Sequence, residues 1–382
     1  FQKKSPFEFF VIVVIYIYTC WFTPKPMNLT TLFQPPTFFQ VGIFFLTWYL
    51  LHRLLQLRPL LLPWNTHHPV LPNDSTLRKV KTISHRGGRE TTIENTMSSF
   101  RNAYNCENMN MIELDVHLTK DKQVVVFHDN TLTRMTNDTN MKNINQVDYK
   151  DLPLLTGQWE NANKRALATS EKIPLFTKVL DSIPHDICVI VEIKPQTSLS
   201  TKELVKLTDD ILRARPTLTK RVLWFSLHAN TCNVLLPAQN PFRPRITAAR
   251  DVAIVVLANA ACLLPFIPSS FFPEVVGCVA PSSISNGLLR RVPFLTCCSD
   301  RLLNFLKGWI QPMLVSKSMV EHMQRRGKLV FMLGVNDDVT LGLSQYTGCD
   351  AVLSDRVEWL SEAMKEPTKK KKGSVDAKKK VK

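Results

Sequence analysis

Seven residues between His85 and Lys194 carry side chains that could do chemistry: His85, Arg86, Glu113, Asp115, His128, Glu192 and Lys194. In Ile112-Glu113-Leu114-Asp115-Val116-His117-Leu118 a strand puts Glu113, Asp115 and His117 on one face and the aliphatic residues on the other. Paired carboxylates that leave a position open suit a hard divalent cation, Mg2+ or Ca2+. A later run, Val191-Glu192-Ile193-Lys194-Pro195, again sets a carboxylate and a cation on one face. A cation together with Arg86 and Lys194 would neutralise a phosphodiester and its more highly charged transition state. Histidines, with an ordinary pKa of about 6.5, can divide the proton work, one deprotonating the nucleophile and the other protonating the leaving alkoxide. Gly87-Gly88 would let the backbone approach a phosphate closely. Nothing in the chain resembles a P-loop, a Gly-x-Ser-x-Gly elbow or a dinucleotide fingerprint.

These residues fall at the ends of strand-like runs. The runs are Val80 to His85, Met111 to Leu118, Val124 to His128, Ile187 to Ile193, Val222 to Leu227, Arg245 to Ala249, Leu329 to Val335 and Ala351 to Ser354. Between them lie stretches with apolar residues at helical spacing: Met97, Phe100 and Tyr104; Leu204, Leu207 and Ile211; Met319, Val320 and Met323. Asn95 or Thr96 caps the first of these helices, and the last ends before Gly327. Alternating strand and helix predicts a parallel sheet covered by helices, and periodicity leaves open whether it closes into a barrel. In a closed α/β barrel the C-terminal strand ends converge on one site.

The series His-Arg-Gly (85–87), Glu-Asn-Thr (94–96), Glu-Leu-Asp (113–115), Thr-Lys-Asp (119–121), Val-Val-x-His-Asp (125–129) and Glu-Ile-Lys (192–194) resembles the glycerophosphodiester phosphodiesterase family. The resemblance implies a TIM (β/α)8 barrel using one divalent cation, Mg2+ or Ca2+. It assigns His85 and His128 to an acid/base pair and Arg86 and Lys194 to the substrate phosphate. Glu113, Asp115 and Glu192 become metal ligands, with His128 an additional candidate. Leu333-Gly334 departs from the Trp-Thr or Trp-Val type of pair usual in the family, which leaves the pocket wall, and with it substrate preference, open. The apolar segments resemble the membrane-associated animal branch, which acts as lysophospholipase D. That implies hydrolysis of lysophospholipids to lysophosphatidic acid and a headgroup alcohol. Soluble glycerophosphodiesters, yielding glycerol 3-phosphate, are the alternative. A phospholipase C-like barrel is disfavoured by the Glu-Leu-Asp and Glu-Ile-Lys motifs, and a non-catalytic membrane scaffold by the survival of all seven residues. His117 reads as barrel filler, with a fourth ligand as the other possibility.

The chain has 382 residues, a formal charge of +16 and 45% hydrophobic residues, which excludes a disordered chain and a many-pass transporter. Three regions are expected: a membrane-anchor region and linker (1–79), the barrel (80–362) with an apolar insertion at about 252–289, and a disordered Lys-rich tail (363–382). Two charge-free runs, Phe9 to Pro24 and Phe38 to Leu51, read as membrane-embedded helices. Lys3, Lys4, Arg53 and Arg58 then face the cytosol with the barrel, and the sequon at Asn28 faces the lumen. The segment 252–273 carries no charge over 22 positions but contains Pro265 and Pro268, which suits a bent apolar lobe in contact with a bilayer. The tail lacks aromatic residues, so an anionic membrane is expected as partner and no nucleic acid. Its final Lys-Lys-Val-Lys resembles an endoplasmic-reticulum retrieval signal. Nine cysteines without metal or disulfide spacing read as free thiols in a reducing compartment.

Overall fold

The computed structural model describes residues 38–62, 71–72, 74–136, 142–156, 171–280, 299–301 and 315–365. The run Phe9 to Pro24, the Asn28 sequon and the Lys-rich tail from 366 onward lie outside the described residues. The chain divides into two compact units, Phe1–Leu51 and His52–Lys382.

The run Phe38 to Leu51 lies within a 20-residue helix, Phe38–Leu57. Among the described residues no helix is long and apolar enough to cross a membrane. The expectation of a membrane span in this run is corrected accordingly: after Leu51 the helix runs on only to Leu57, with His52, Arg53 and Gln56 interspersed among its leucines.

The second unit is built on eight strands: β1 (Thr82–Ser84), β2 (Met111–Leu118), β3 (Val124–Val126), β4 (Cys188–Ile193), β5 (Val222–Phe225), β6 (Val275–Val279), β7 (Leu329–Leu333) and β8 (Ala351–Ser354). Their order is β5-β4-β2-β1-β8-β7-β6, with every neighbouring pair parallel, and β3 folds back antiparallel on β2. Single parallel bridges from Trp224 to Arg245 and from Ile246 to Val275 join β5 to β6 and close the ring. The expected strand Arg245 to Ala249 is reduced to these bridges, because the chain turns into the helix Ala249–Ala260 straight after it. The result is the parallel α/β barrel that the family resemblance implied, where alternation alone called for a parallel sheet covered by helices.

Two apolar layers hold the barrel. Outward-facing Ile112, Leu114, Val116, Val189, Val191 and Ile193 pack with the surrounding helices, including Phe100 and Leu204. Inward-facing Ile83, Met111, Cys188, Ile190, Leu223 and Phe331 fill the interior, closed by Leu71, Leu77 and Val80. The helix Met97–Asn105 starts at Thr96, whose side chain accepts from Ser99 N while Ser99 returns a bond to the Thr96 backbone. The helices Ser198–Arg213 and Lys317–Arg325 lie where the apolar spacing places them, and the latter stops before Gly327 at φ 78.

The apolar stretch expected as an insertion is partly barrel wall. It forms the helix Ala249–Ala260, two short turns at Leu264–Phe266 and Ser269–Phe271, and then β6 itself. Fully buried Arg326 ties the turns down, donating to the Leu264 and Ile267 carbonyls and to Ser269 Oγ. Lys328 donates to the Phe272 carbonyl at 2.9 Å. Buried backbone carbonyls need such donors, so this lobe is held by two cations that follow the helix Lys317–Arg325. The six described cysteines, Cys106, Cys188, Cys232, Cys262, Cys278 and Cys349, are free thiols.

Candidate active site

The inward face of β2 reads Met111, Glu113, Asp115, His117, and that of β4 reads Cys188, Ile190, Glu192, Lys194. Each face changes from apolar to charged along its length, so the apolar core becomes the floor of a polar site. Register then brings the acids together. Asp115 pairs directly with Glu192, and Glu113 sits opposite Ile190, one step diagonal from Glu192. Carboxylate oxygens of Glu113, Asp115 and Glu192 all lie within 4.8 Å of one another, and all three residues are buried.

Cations frame this triad. Lys194 Nζ is 2.8 Å from Asp115 Oδ1 and 2.8 Å from Glu192 Oε2. Arg86 Nε lies 3.4 Å from Asp115 Oδ2, and its Nη1 donates to Glu94 Oε1 at 3.0 Å. The Arg86 backbone N–H donates to Glu113 Oε2 at 2.9 Å. That bond requires the left-handed turn after β1, where Arg86 has φ 56 and Gly87 φ 78. A Cβ on Gly87 would come within 2.4 Å of Ser99 Oγ, so glycine is needed for close packing on the helix as well as for φ. Asn95 Nδ2 donates to Asp115 Oδ2 at 2.7 Å.

Electrostatics separate the three acids. Burial, then the neighbouring Asp115 and Glu192, raise the Glu113 carboxyl well above the ordinary carboxylate range. Burial pushes Glu192 up to about 7, with Lys194 opposing and Asp115 adding to the rise. Burial also works against ionised Asp115, but Lys194 and Arg86 hold it well below its ordinary value. Among the described residues Glu113 Oε1 is buried with no hydrogen-bond partner. Three hard oxygen donors, two of them carboxyls that resist ionising in this setting and one with an unused oxygen, form a site that could bind a divalent metal.

Both histidines stand beside the triad, each held by an aspartate. His85 begins the turn after β1, with Nδ1 2.5 Å from Asp355 Oδ1 and Nε2 3.9 Å from Glu113 Oε2. Asp355 is itself gripped by Arg89 and by Asn336 Nδ2 at 2.8 Å. Burial, reinforced by Arg86, lowers His85 below 6.5 despite Asp355. His128, just past β3, has Nδ1 2.5 Å from Asp129 Oδ1. Asp129 continues to Arg134 Nε at 2.5 Å, and Arg134 Nη2 to Glu94 Oε1 at 2.6 Å. A chain of charged contacts therefore runs from His128 through Asp129, Arg134 and Glu94 to Arg86. His117 lies deeper, fully buried, and burial lowers it to about 4.

All seven residues expected from the sequence gather at one end of the barrel. Five further side chains were missed: Asp355, Asp129, Glu94, Arg134 and Asn95. Asp129, Glu94 and Asn95 stand inside motifs already singled out, and Ser354-Asp355 ends the last strand, so their positions were visible although their partners were not.

Acids for a metal, carboxylate-held histidines and buried cations at the mouth of a parallel barrel define a phosphoric diester hydrolase. The profile of the glycerophosphoryl diester phosphodiesterase family matches residues 85–359, and the chain belongs to that family. It is similar to human lysophospholipase D GDPD1, 29% identical over 280 residues that cover 72% of this chain and 83% of the relative. Human lysophospholipase D GDPD3 is 26% identical over 288 residues, 74% of this chain and 84% of that protein. Among solved structures, the glycerophosphoryl diester phosphodiesterase domain of a Mycobacterium tuberculosis protein shares the fold, with TM-score 0.55 and 17% identity over 74% of this chain and 98% of that one.

Proposed function

We propose that this protein is a metal-dependent lysophospholipase D, hydrolysing a lysophospholipid to lysophosphatidic acid and a headgroup alcohol. The observation that carries the reading is the convergence of Glu113, Asp115 and Glu192 with two aspartate-held histidines and two buried cations. Of His85 and His128, one takes a proton from the attacking water and the other returns a proton to the leaving headgroup alkoxide. Aspartate at Nδ1 keeps that nitrogen protonated and leaves Nε2 to exchange protons with substrate. Arg86 and Lys194 contribute fixed positive charge where the phosphoryl group gains negative charge. A divalent cation, Mg2+ or Ca2+, held by Glu113, Asp115 and Glu192, would supply further charge neutralisation at the phosphoryl oxygens.

A lysolipid substrate is supported by the similarity to lysophospholipase D proteins and by apolar surface on the second unit. Leu54, Leu57 and Leu61 are exposed, and so are Leu257 and Phe271 of the charge-free lobe. Gln56 Nε2 donates to Asn259 Oδ1, tying the end of the helix Phe38–Leu57 to the lobe with Leu54 and Leu57 exposed beside it. We place the barrel on the cytosolic side of an endomembrane, a reading supported by the Lys-rich run 369–382, which the anionic cytosolic leaflet would attract. Protease protection of intact microsomes tests that side.

Soluble glycerophosphodiesters are the second reading, favoured by a site whose named groups all address the phosphodiester and none an acyl chain. Mass spectrometry of the products from a panel of lysophospholipids and glycerophosphocholine, with defined metal, decides between them. Lysophosphatidic acid as the main product supports the first reading. Turnover of glycerophosphocholine alone supports the second, and free monoacylglycerol would overturn both.

A further inference from the structure

His117 has no role in the reaction as described above, yet it is fully buried at the charged end of β2 and touches the segment that carries His128. Its Nε2 lies 3.1 Å from the backbone carbonyl oxygen of His128. A carbonyl only accepts, so Nε2 bears the proton. On the other side of the ring, Nδ1 is 3.4 Å from Gln196 Nε2. That same Gln196 nitrogen donates to the Leu118 carbonyl at 3.0 Å, which fixes the orientation of the amide, and an amide nitrogen only donates. Nδ1 of His117 is therefore the acceptor, and one neutral tautomer satisfies both ends.

The placement matters because the β3 ladder ends at Val126, two residues short of His128. Beyond it β2 holds the chain twice. The Phe127 N–H donates to the Asp115 carbonyl at 3.0 Å, and His117 holds the His128 carbonyl. The His128 ring is then fixed at Nδ1 by Asp129. Backbone and ring are thus set by separate contacts, and the backbone contact comes from the strand that carries Glu113 and Asp115.

We propose that His117 is a positioning residue for His128: its Nε2–H holds the His128 backbone so that the imidazole faces the carboxylate triad. Gln196, two residues past Lys194, steadies His117 and links this support to the end of β4. The inference rests on the reading of His128 as an acid/base group.

The test uses full-length His117→Leu, His117→Gln, His128→Ala and the His117→Leu/His128→Ala double variant, assayed on glycerophosphocholine with Mg2+. His117→Leu should lower kcat about 10- to 100-fold, with KM and the Mg2+ requirement changed by no more than about twofold. His117→Gln, whose amide nitrogen can reach the same carbonyl, should recover most of that loss. In the His128→Ala background His117→Leu should cost nothing further, since the group it positions is gone. Full kcat in His117→Leu, an equal loss in both backgrounds, or a displaced Mg2+ requirement would each overturn the proposal. Should the leucine variant not fold by circular dichroism, His117→Asn, polar but too short to reach, replaces it with the same expected loss. Wild-type turnover by His128→Ala would instead overturn the acid/base reading itself.

Discussion

Asp355 Oδ1 lies 2.5 Å from His85 Nδ1 although 270 positions separate the two residues in the chain. β1 and β8 are neighbours in the ring, so the residue after each strand arrives at the same edge of the site. Arg89 and Asn336 hold the carboxylate in turn, and although burial opposes it, His85 and Arg89 keep Asp355 far below the ordinary carboxylate range. Asp355→Asn preserves size but removes the charge that fixes the Nδ1 proton. It should lower kcat by on the order of 10² while KM moves little. Steady-state kinetics on glycerophosphocholine provide the check, and a kcat within about twofold of wild type would show that His85 needs no such partner.

The two histidines are not interchangeable. His85 sits among Arg86, Arg89 and Glu113, whereas His128 stands at the end of the chain through Asp129 and Arg134. Each is held by its own aspartate, Asp355 for His85 and Asp129 for His128, so the two are set up separately. Separate His85→Ala and His128→Ala variants should each lose on the order of 10² or more in kcat while keeping their far-ultraviolet spectrum. Unimpaired turnover by either one would remove that residue from the proton-transfer pair.

The carboxylate triad makes a prediction that does not depend on activity. With burial and mutual repulsion raising Glu113 and Glu192, the metal-free fold carries unfavourable charge at its centre. Glu113→Gln removes part of that charge while its amide oxygen can still accept from the Arg86 N–H. The variant should melt higher than wild type in EDTA, by an amount corresponding to about 1 kcal/mol, and gain less from added Mg2+ or Ca2+. Chelation should abolish wild-type turnover and either ion should restore it. A wild-type melting temperature indifferent to both metals would argue against ion binding at the triad.

What the sequence disclosed follows from how local the signal is. Glu113, Asp115, Glu192 and Lys194 could be placed on one side of their strands because alternation is a property of four consecutive residues. Thr96 could be read as a cap for the same reason. Asp355 could not be matched to His85, nor Arg134 to Glu94 and Asp129, because those contacts depend on ring closure and on a loop returning to the site. β6 was missed because Val275-Val276-Gly277-Cys278-Val279 is apolar throughout and lies at the end of a charge-free run. A strand covered on both faces has no alternation to display. The apolarity that suggested a membrane lobe is in part that of a barrel strand. The strand at Arg245 fell short for the opposite reason: its composition is strand-like, but the following helix leaves it room for two bridging residues only.

His322 contributes a pH dependence to the fold away from the site. Its Nδ1 lies 3.2 Å from the Gln56 carbonyl, and its Nε2 lies 3.3 Å from Arg326 Nη1, which can only donate. The ring is therefore held neutral, with Nε2 as acceptor. Burial first, and then Arg326, lower its pKa from 6.5 to about 3. His52 and Arg325 are also near enough to disfavour the charged ring. An unfolded chain takes up this proton as pH falls through 6.5, whereas the folded chain refuses it until about 3. The contribution of His322 is thus complete above 6.5 and is lost as pH falls toward 3, at about 1.4 kcal/mol per pH unit inside that window. Urea unfolding at about pH 7 and about pH 4.5 measures the loss. His322→Gln, which cannot titrate, should be the less stable protein at the higher pH and should decline less between the two. If both proteins lose the same stability over that interval, His322 contributes nothing to the acid limb.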